Sequence, residues 1–219
     1  MTLADPNPAA PSARPEGPRV SLAVGALLLL VLAVAGGALL LTRPRLIFTN
    51  SLVAPVTLSI GQGAPRTVAS GATVRVVVSR GKTLLAEWRV IRPRSADDQP
   101  MGVEVHGATV FRSPRGTMRM RASSRSGDGD YFAPLITNAT SQLLRVSVNA
   151  GLTGAMDCGC AVRPGATRAF IGYYHLFQNS TVEVRAGELR AAFQDLGPQV
   201  TVANGTVGLR FEDQDLRRL

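Results

Sequence analysis

One run of 22 uncharged residues, Val20–Leu41, constrains this chain most, and it is flanked by Arg19, Arg43 and Arg45. As a helix that rises about 1.5 Å per residue, the run is about 33 Å long, and a bilayer's hydrocarbon core is about 30 Å thick. We therefore predict a single transmembrane helix over residues 20–41, with Val20 and Leu41 at its ends and Leu30 near its middle. The remaining chain is then a folded region attached to an anchor.

The first 19 residues contain five prolines and almost no large apolar side chain, so we predict a disordered Pro/Ala-rich tail. A cleaved secretory signal is the alternative to a retained anchor. Ala33-Val34-Ala35 has the small-x-small form of a cleavage site, after an apolar core from Val20 to Leu32. Cleavage there would leave the apolar residues Ala38–Leu41 near the new N-terminus, which favours the anchor. Both interpretations imply export of the C-terminal region.

The arginines that flank the run do not decide its orientation. Arg14 and Arg19 precede it, and Arg43 and Arg45 follow it, so the positive-inside rule gives a tie. A long folded region crosses the membrane with little regard to its charge. We therefore predict a cytoplasmic N-terminus and extracytoplasmic C-terminal domains.

After Arg45 the apolar residues recur with a period of two. The alternating runs include Val56-Leu58-Ile60, Val74-Val76-Val78, Ala86-Trp88-Val90, Leu144-Val146-Val148 and Val207-Leu209-Phe211. Turn residues such as Ser70-Gly71, Pro164-Gly165 and Asn204-Gly205 separate these runs. Short alternating strands with frequent turns are typical of antiparallel β-sandwiches, so we predict a mainly β fold.

The chain also repeats parts of its pattern. Asn50 and Asn138 each follow a threonine, 88 positions apart, and the strand phase after them agrees. Val68-x-x-Gly-Ala-Thr73 matches Val162-x-x-Gly-Ala-Thr167 at an offset of 94. We predict two small β-sandwich modules at residues 46–121 and 131–212, joined by a linker at 122–130. Residues 213–219 form a charged C-terminal tail.

Each copy has an Asn after its first strand and a Gly-x-Thr turn before a later one. In these features it resembles the immunoglobulin-like modules of bacterial membrane-anchored extracytoplasmic proteins, some of which are the outer parts of receptor kinases. The resemblance covers about residues 46–211 and implies a tandem immunoglobulin-like scaffold. The chain lacks the Cys…Trp…Cys signature of antibody domains and has no kinase region, so the resemblance supplies no function.

Positive charge is concentrated in the first module. Residues 43–125 contain fourteen basic and four acidic residues, whereas residues 126–219 contain eight and nine. The densest part supplies the candidate anion-binding residues Arg112, Arg115, Arg119, Arg121 and Arg125. Arginines near an anionic leaflet contribute about 1 kcal/mol each. Phospholipid headgroups, an acidic envelope polymer or the acidic face of a protein partner would suit them, as would simple solvation of an arginine-rich surface.

Because the offset between the two copies grows from 88 to 94, the second copy has six extra residues. Cys158 and Cys160, the only cysteines, lie in this insertion. We expect them on or beside a hairpin connection rather than in a core. A local structural disulfide, unreactive thiols, a redox or cross-linking role and a metal site all remain open. Metal is the weakest, because two thiolates need two more ligands and the chain has two histidines. We predict no metal and no cofactor.

Three functional hypotheses follow. The first is a single-pass membrane-anchored extracytoplasmic protein, not an enzyme, that acts in protein interaction or envelope structure. The second is a binding module for anionic lipid or polymer, and the third is a thiol-disulfide function at Cys158 and Cys160. No nucleophile motif such as Gly-x-Ser-x-Gly and no nucleic-acid-reading motif is recognisable, so we predict neither catalysis nor nucleic-acid binding.

Overall fold

The regular structure after Arg43 is almost entirely β, as the period of two predicts. The computed structural model describes residues 24–34, 44–112, 116–126, 129–152, 156–201 and 204–218. Two short 3-10 helices lie at Gly197–Gln199 and Asp213–Asp215. The strands are β1 (Arg45–Asn50), β2 (Val56–Ile60), β3 (Arg66–Val68), β4 (Thr73–Val77), β5 (Thr83–Val90), β6 (His106–Arg112), β7 (Thr117–Ala122), β8 (Arg125–Ser126), β9 (Gly129–Asn138), β10 (Leu144–Val148), β11 (Met156–Val162), β12 (Ala169–Phe170), β13 (Tyr174–His175), β14 (Val182–Ala186), β15 (Leu189–Phe193), β16 (Thr206–Phe211) and β17 (Arg217–Arg218).

Two sheets pack face to face in the first part of this region, and we call them the first sheet pair. One has the order β4-β1-β7 and the other β3-β2-β5-β6. β1 is antiparallel to β4 and parallel to β7. Side chains from both sheets, among them Phe48, Leu58 and Trp88, meet in one buried cluster. Burying the apolar side of each strand is what drives the sheets together.

A second sheet pair follows with a related strand order, in which the facing sheet has a fifth strand and β9 also pairs with β13 and β8. β9 lies between β12, which is antiparallel to it, and β16, which is parallel to it. The facing sheet has the order β11-β10-β14-β15-β17. Its core contains Ile136, Val146, Val184 and Phe211 from both sheets. The architecture of this region is therefore mainly β and consistent with β-sandwich packing, as predicted.

Two buried asparagines hold the turn after the first strand of each sheet pair. Asn50 Nδ2 donates to Ala54 O at 2.9 Å and to Val68 O at 3.1 Å, and its Oδ1 accepts from Leu52 N at 3.0 Å. Asn138 makes the same set. Its Nδ2 donates to the carbonyl oxygens of Gln142 and Val162, both at 2.8 Å, and its Oδ1 accepts from Thr140 N at 3.0 Å. Each amide thereby satisfies backbone groups that the turn leaves unpaired.

The two sheet pairs share an extensive junction within the compact unit Arg43–Leu219. Tyr131 and Ala133 in the first half of β9 belong to the buried cluster of the first sheet pair, and so does Tyr173. Tyr173 Oη accepts a hydrogen bond from Val53 N at 3.1 Å and donates to Asn204 O at 3.2 Å. The segment predicted as a linker, 122–130, contains the end of β7, all of β8 and the start of β9.

Two glycines allow the backbones to touch at this junction. Gly102 and Gly172 have φ angles of +74° and +111°, in the region that favours glycine. A Cβ on Gly102 would lie 2.6 Å from Tyr173 O, and one on Gly172 would lie 2.8 Å from Met101 O. Val103 N also donates to Tyr173 O at 2.8 Å. Only glycine permits this close approach.

Residues Met1–Thr42 form a separate unit, of which the structure describes a helix over residues 24–34. Its side chains are solvent-exposed, including Leu30 at 61%. The predicted ends of the span, Val20 and Leu41, lie outside the described residues, as does the predicted tail 1–19. Within the part of the chain that the structure describes, no helix has both the length and the apolar character needed to cross a bilayer.

Candidate functional site

The outer side of the sheet β4-β1-β7 carries a cluster of arginines, which we call the arginine face. Leu46 and Phe48 of β1 point into the core, so the alternate residues of this strand point outward. The pairing register then places Ile47 between Arg75 of β4 and Arg119 of β7. The nine outward residues are Arg45, Ile47, Thr49, Thr73, Arg75, Val77, Thr117, Arg119 and Arg121. Four are arginines and none is acidic.

These four positive charges, on Arg45, Arg75, Arg119 and Arg121, have no ion-pair partner in the part of the chain that the structure describes. Arg75 and Arg119 flank β1, so their Cα atoms are about 9.6 Å apart, two strand spacings. Like charges at this spacing repel each other weakly in water, and an anion between them is attracted by both. The face can therefore hold phosphate or carboxylate groups by charge and by guanidinium hydrogen bonds.

A cleft of about 490 Å³ opens beside the arginine face, between β6 and β7. Its lining includes Arg119, Arg121 and Arg125, and none of the described residues that line it is acidic. Trp88 and Gly107 form part of its wall, and a Cβ on Gly107 would lie 2.7 Å from the indole Nε1. The remaining lining residues are His106, Ala108, Thr109, Met118, Met120 and Ser126.

The structure brings three of the five predicted arginines together in this cleft. Arg125 lies there with its Nε 3.7 Å from Asp130 Oδ1, so its charge is partly compensated. Arg112 is exposed at the end of β6 and does not line the cleft. Arg115 lies outside the described residues. Sequence reasoning did not assign Arg45 and Arg75 to this site, because only the pairing register shows that they share a face with Arg119.

Cys158 and Cys160 form a disulfide within β11. We expected both cysteines on or beside a hairpin connection rather than in a core, and this was wrong for Cys160, which is only 2% exposed and belongs to the core of the second sheet pair. The β10–β11 register explains this: Val146 pairs with Cys160 and Ser147 with Asp157. Two residues are therefore inserted as a bulge, and the disulfide closes it. A structural role suits this position, and the redox hypothesis stays a prediction.

Among the titratable groups described, two buried tyrosines have the pKa values that depart furthest from the ordinary ones. Burial raises the pKa of Tyr173 to about 12, and the hydrogen bond from Val53 opposes this rise. Burial also raises the pKa of Tyr174, whose Oη donates to Ile171 O at 2.9 Å. Both hydroxyls are committed to backbone partners, so their perturbation reflects packing at the junction and core. Within the described residues, no three His, Cys, Asp or Glu side chains are grouped to hold a metal ion.

No model of a known protein family matches this chain, and no curated protein matches it with significant similarity. Function must therefore be inferred from the residues and their geometry.

Proposed function

We propose that this chain is a single-pass membrane-anchored extracytoplasmic protein, not an enzyme, whose tandem immunoglobulin-like modules bind anionic groups at the envelope. The observation that carries the binding role is the arginine face, with four arginines and no acidic residue on one sheet surface. Each arginine offers five N–H donors in a planar fork that matches phosphate or carboxylate oxygens. Lipid headgroups and phosphate-bearing envelope polymers share this chemistry.

The uncharged run Val20–Leu41 supports the anchor. In the sequence, β1 and its Arg45 begin soon after this run ends. An anchored protein presents its first module to the membrane surface, where arginine contributions of about 1 kcal/mol each fall off within a Debye length. The related strand orders of the two sheet pairs, and the corresponding hydrogen bonds of Asn50 and Asn138, support tandem modules of one design.

Anchoring and charge recognition are tested separately. Extraction of membranes with alkaline carbonate should leave the full chain in the pellet, and release of a chain that begins near Gly36 would contradict the anchor. For recognition, the full chain in phosphatidylcholine nanodiscs should capture phosphatidylglycerol vesicles but not phosphatidylcholine vesicles. Polyphosphate, added as a soluble competitor of vesicle capture, tests whether a phosphate-bearing polymer binds the same face.

The matched variants decide whether the arginine face is responsible. We expect the double substitution Arg75→Ser and Arg119→Ser to weaken vesicle capture at least tenfold. The control removes the same charge from exposed Arg145 and Arg163 of the second sheet pair and should change capture less than threefold. Capture should also fall steeply between low and high salt. Equal losses in both double variants, or capture that salt does not weaken, would overturn recognition by this face.

A further inference from the structure

Strand β6 has one edge without a strand partner in the part of the chain that the structure describes. It pairs with β5 along its length, and no other described strand is hydrogen-bonded to it. Val90 N donates to Val105 O at 2.9 Å, which makes this pair a hydrogen-bonded pair of the antiparallel ladder. Because such pairs alternate, the N–H and C=O groups of Ala108 and Val110 point away from β5, toward the open edge. A free edge of this kind is a template for another strand.

The second sheet pair covers the start of its corresponding edge with its own chain. There the chain continues from β16 to β17, and β17 pairs with β15 in antiparallel orientation through Leu189↔Arg218 and Arg190↔Arg217. In the first sheet pair the chain continues from β7 to β8, but β8 pairs with β9 through Arg125↔Asp130 and Ser126↔Gly129. The chain has to lead into the second sheet pair, so it does not return to cover β6.

The cleft described above lies along this open edge. Its wall includes four consecutive β6 residues, His106 to Thr109, with Met118 and Met120 from β7. Ser126 of β8 also lines it, and Ser126 Oγ is buried with no hydrogen-bond partner among the described residues. The space of about 490 Å³ is therefore bounded by the strand edge on one side and by β7 and β8 on the other. An extended segment suits such a space better than a compact ligand.

We propose that β6 accepts an added antiparallel strand from an extended acidic segment of a partner protein. The charge of the surroundings selects this occupant, because Arg119, Arg121 and Arg125 line the cleft and no acidic residue among the described ones does. A second copy of this chain would bring the same positive surface to the edge, and like charges oppose that pairing. Strand addition supplies main-chain hydrogen bonds for affinity, and the alternating side chains give specificity.

The two sides of the added strand meet different surfaces. On the outer side lie Val110, 68% exposed, and its cross-strand neighbour Leu85, 40% exposed. On the inner side lie the arginines and methionines of the cleft. The segment that fits best therefore alternates apolar residues, placed outward, with acidic residues, placed inward. This inference does not depend on the recognition of anionic envelope groups by the arginine face.

A capped octapeptide of alternating Glu and Val tests the proposal with the full chain in non-ionic detergent. Trp88 is the only tryptophan of the chain and lines the cleft, so its fluorescence reports binding. We expect saturable binding of this peptide and at least tenfold weaker binding of a Lys-Val counterpart. The same Glu-Val sequence with N-methyl groups on its pairing edge should not bind.

The decisive variant is Val110→Pro, which removes the N–H at the open edge and leaves the ladder to β5 intact. It should weaken binding of the Glu-Val peptide at least tenfold, while Val110→Thr, which keeps the N–H, should bind within threefold of the parent chain. A thermal unfolding temperature within a few degrees of the parent confirms that each variant folds. Capture of phosphatidylglycerol vesicles should be unchanged in Val110→Pro, which separates strand addition at β6 from charge recognition by the arginine face, with which the cleft shares Arg119 and Arg121.

Three results would overturn the proposal. The first is equal peptide affinity of the folded Val110→Pro variant and the parent. The second is equal affinity for the Lys-Val and Glu-Val peptides, which would remove the acidic character of the occupant. The third is a dimer of the parent chain that becomes a monomer in Val110→Pro, because the edge would then be occupied by a second copy.

Discussion

Asn50 and Asn138 make equivalent hydrogen bonds 88 residues apart, one in each sheet pair. Each Nδ2 donates to the carbonyl oxygen four residues later and to that of a valine, Val68 or Val162, and each Oδ1 accepts from the amide two residues later. The acceptors Val68 and Val162 are themselves 94 residues apart, the offset that the Gly-Ala-Thr turns share. The internal duplication stays a prediction, and these bonds support it.

Replacing either asparagine by alanine should destabilise the fold by about 2–4 kcal/mol, because each change leaves buried backbone groups unpaired. Chemical denaturation of Asn50→Ala and Asn138→Ala, monitored by circular dichroism, measures this loss. Gln142→Ala is the control: its side chain is exposed and only its backbone groups are used, so the change should stay within about 0.5 kcal/mol. A loss below about 1 kcal/mol in both asparagine variants would contradict this role.

Gly102 and Gly172 should resist substitution more than other glycines with positive φ. Alanine at either position adds backbone strain of about 1–3 kcal/mol and a clash with the facing backbone. Gly71 has a similar φ of +70°, but a Cβ there meets nothing within 4 Å, so Gly71→Ala measures the strain alone. We expect Gly102→Ala and Gly172→Ala to cost at least about 2 kcal/mol more than Gly71→Ala in unfolding free energy. Equal costs would show that the junction tolerates the added methyl group.

The fold should lose stability as the pH rises above about 10. Tyrosine in the unfolded chain has a pKa near 10, and in the folded chain the pKa of Tyr173 is raised to about 12 and that of Tyr174 is also raised. The folded state therefore holds more protons than the unfolded state above pH 10. The contribution of these tyrosines to the free energy of unfolding is fully present below pH 10. It falls by about 1.4 kcal/mol per pH unit for each tyrosine as the pH rises toward 12.

Denaturation at a series of pH values from 9 to 12, combined with absorbance at 295 nm for tyrosinate, checks this prediction. Tyr173→Phe and Tyr174→Phe should each reduce the slope of stability against pH, whatever they do to stability at pH 7. Ionisation of all three tyrosines near pH 10 in the folded chain would show that neither hydroxyl is as buried as the structure describes.

Removing the disulfide should have a modest effect on stability. The loop between Cys158 and Cys160 is so short that loop-closure entropy accounts for only about 1–2 kcal/mol. We expect a loss of that size in Cys158→Ser combined with Cys160→Ala, because alanine keeps the buried position apolar. Cys158→Ser with Cys160→Ser should lose more, since it places a hydroxyl in the core. Loss of a cellular function without loss of stability in the first variant would favour the redox hypothesis.

The sequence predicts the strands well because a strand with one buried and one exposed side alternates apolar and polar residues. Leu46, Phe48 and Asn50 in β1 are buried, and the residues between them are not. Trp88, in the alternating run Ala86-Trp88-Val90, is 3% exposed. Local periodicity carries this information without any knowledge of which strands pair.

The candidate site depended on long-range pairing and was only partly predictable. Arg75 and Arg119 share a face because both strands pair with β1, and a one-residue shift in either register would separate them. Cys160 was misplaced because a bulge in β11 has no sequence signal of its own. The open edge of β6 depends on where β8 and β17 pair, which neither segment's composition reveals.

The position of β1 has a mechanical consequence. β1 follows the N-terminal segment directly and lies between β4 and β7, hydrogen-bonded on both sides. A pull on the chain at Pro44 would load both ladders in shear, so that many bonds share the force before any strand peels away. In a chain held at its N-terminal end by the proposed anchor, the first strand would bear the tension, and its extraction would be limited by the rate of unfolding under load.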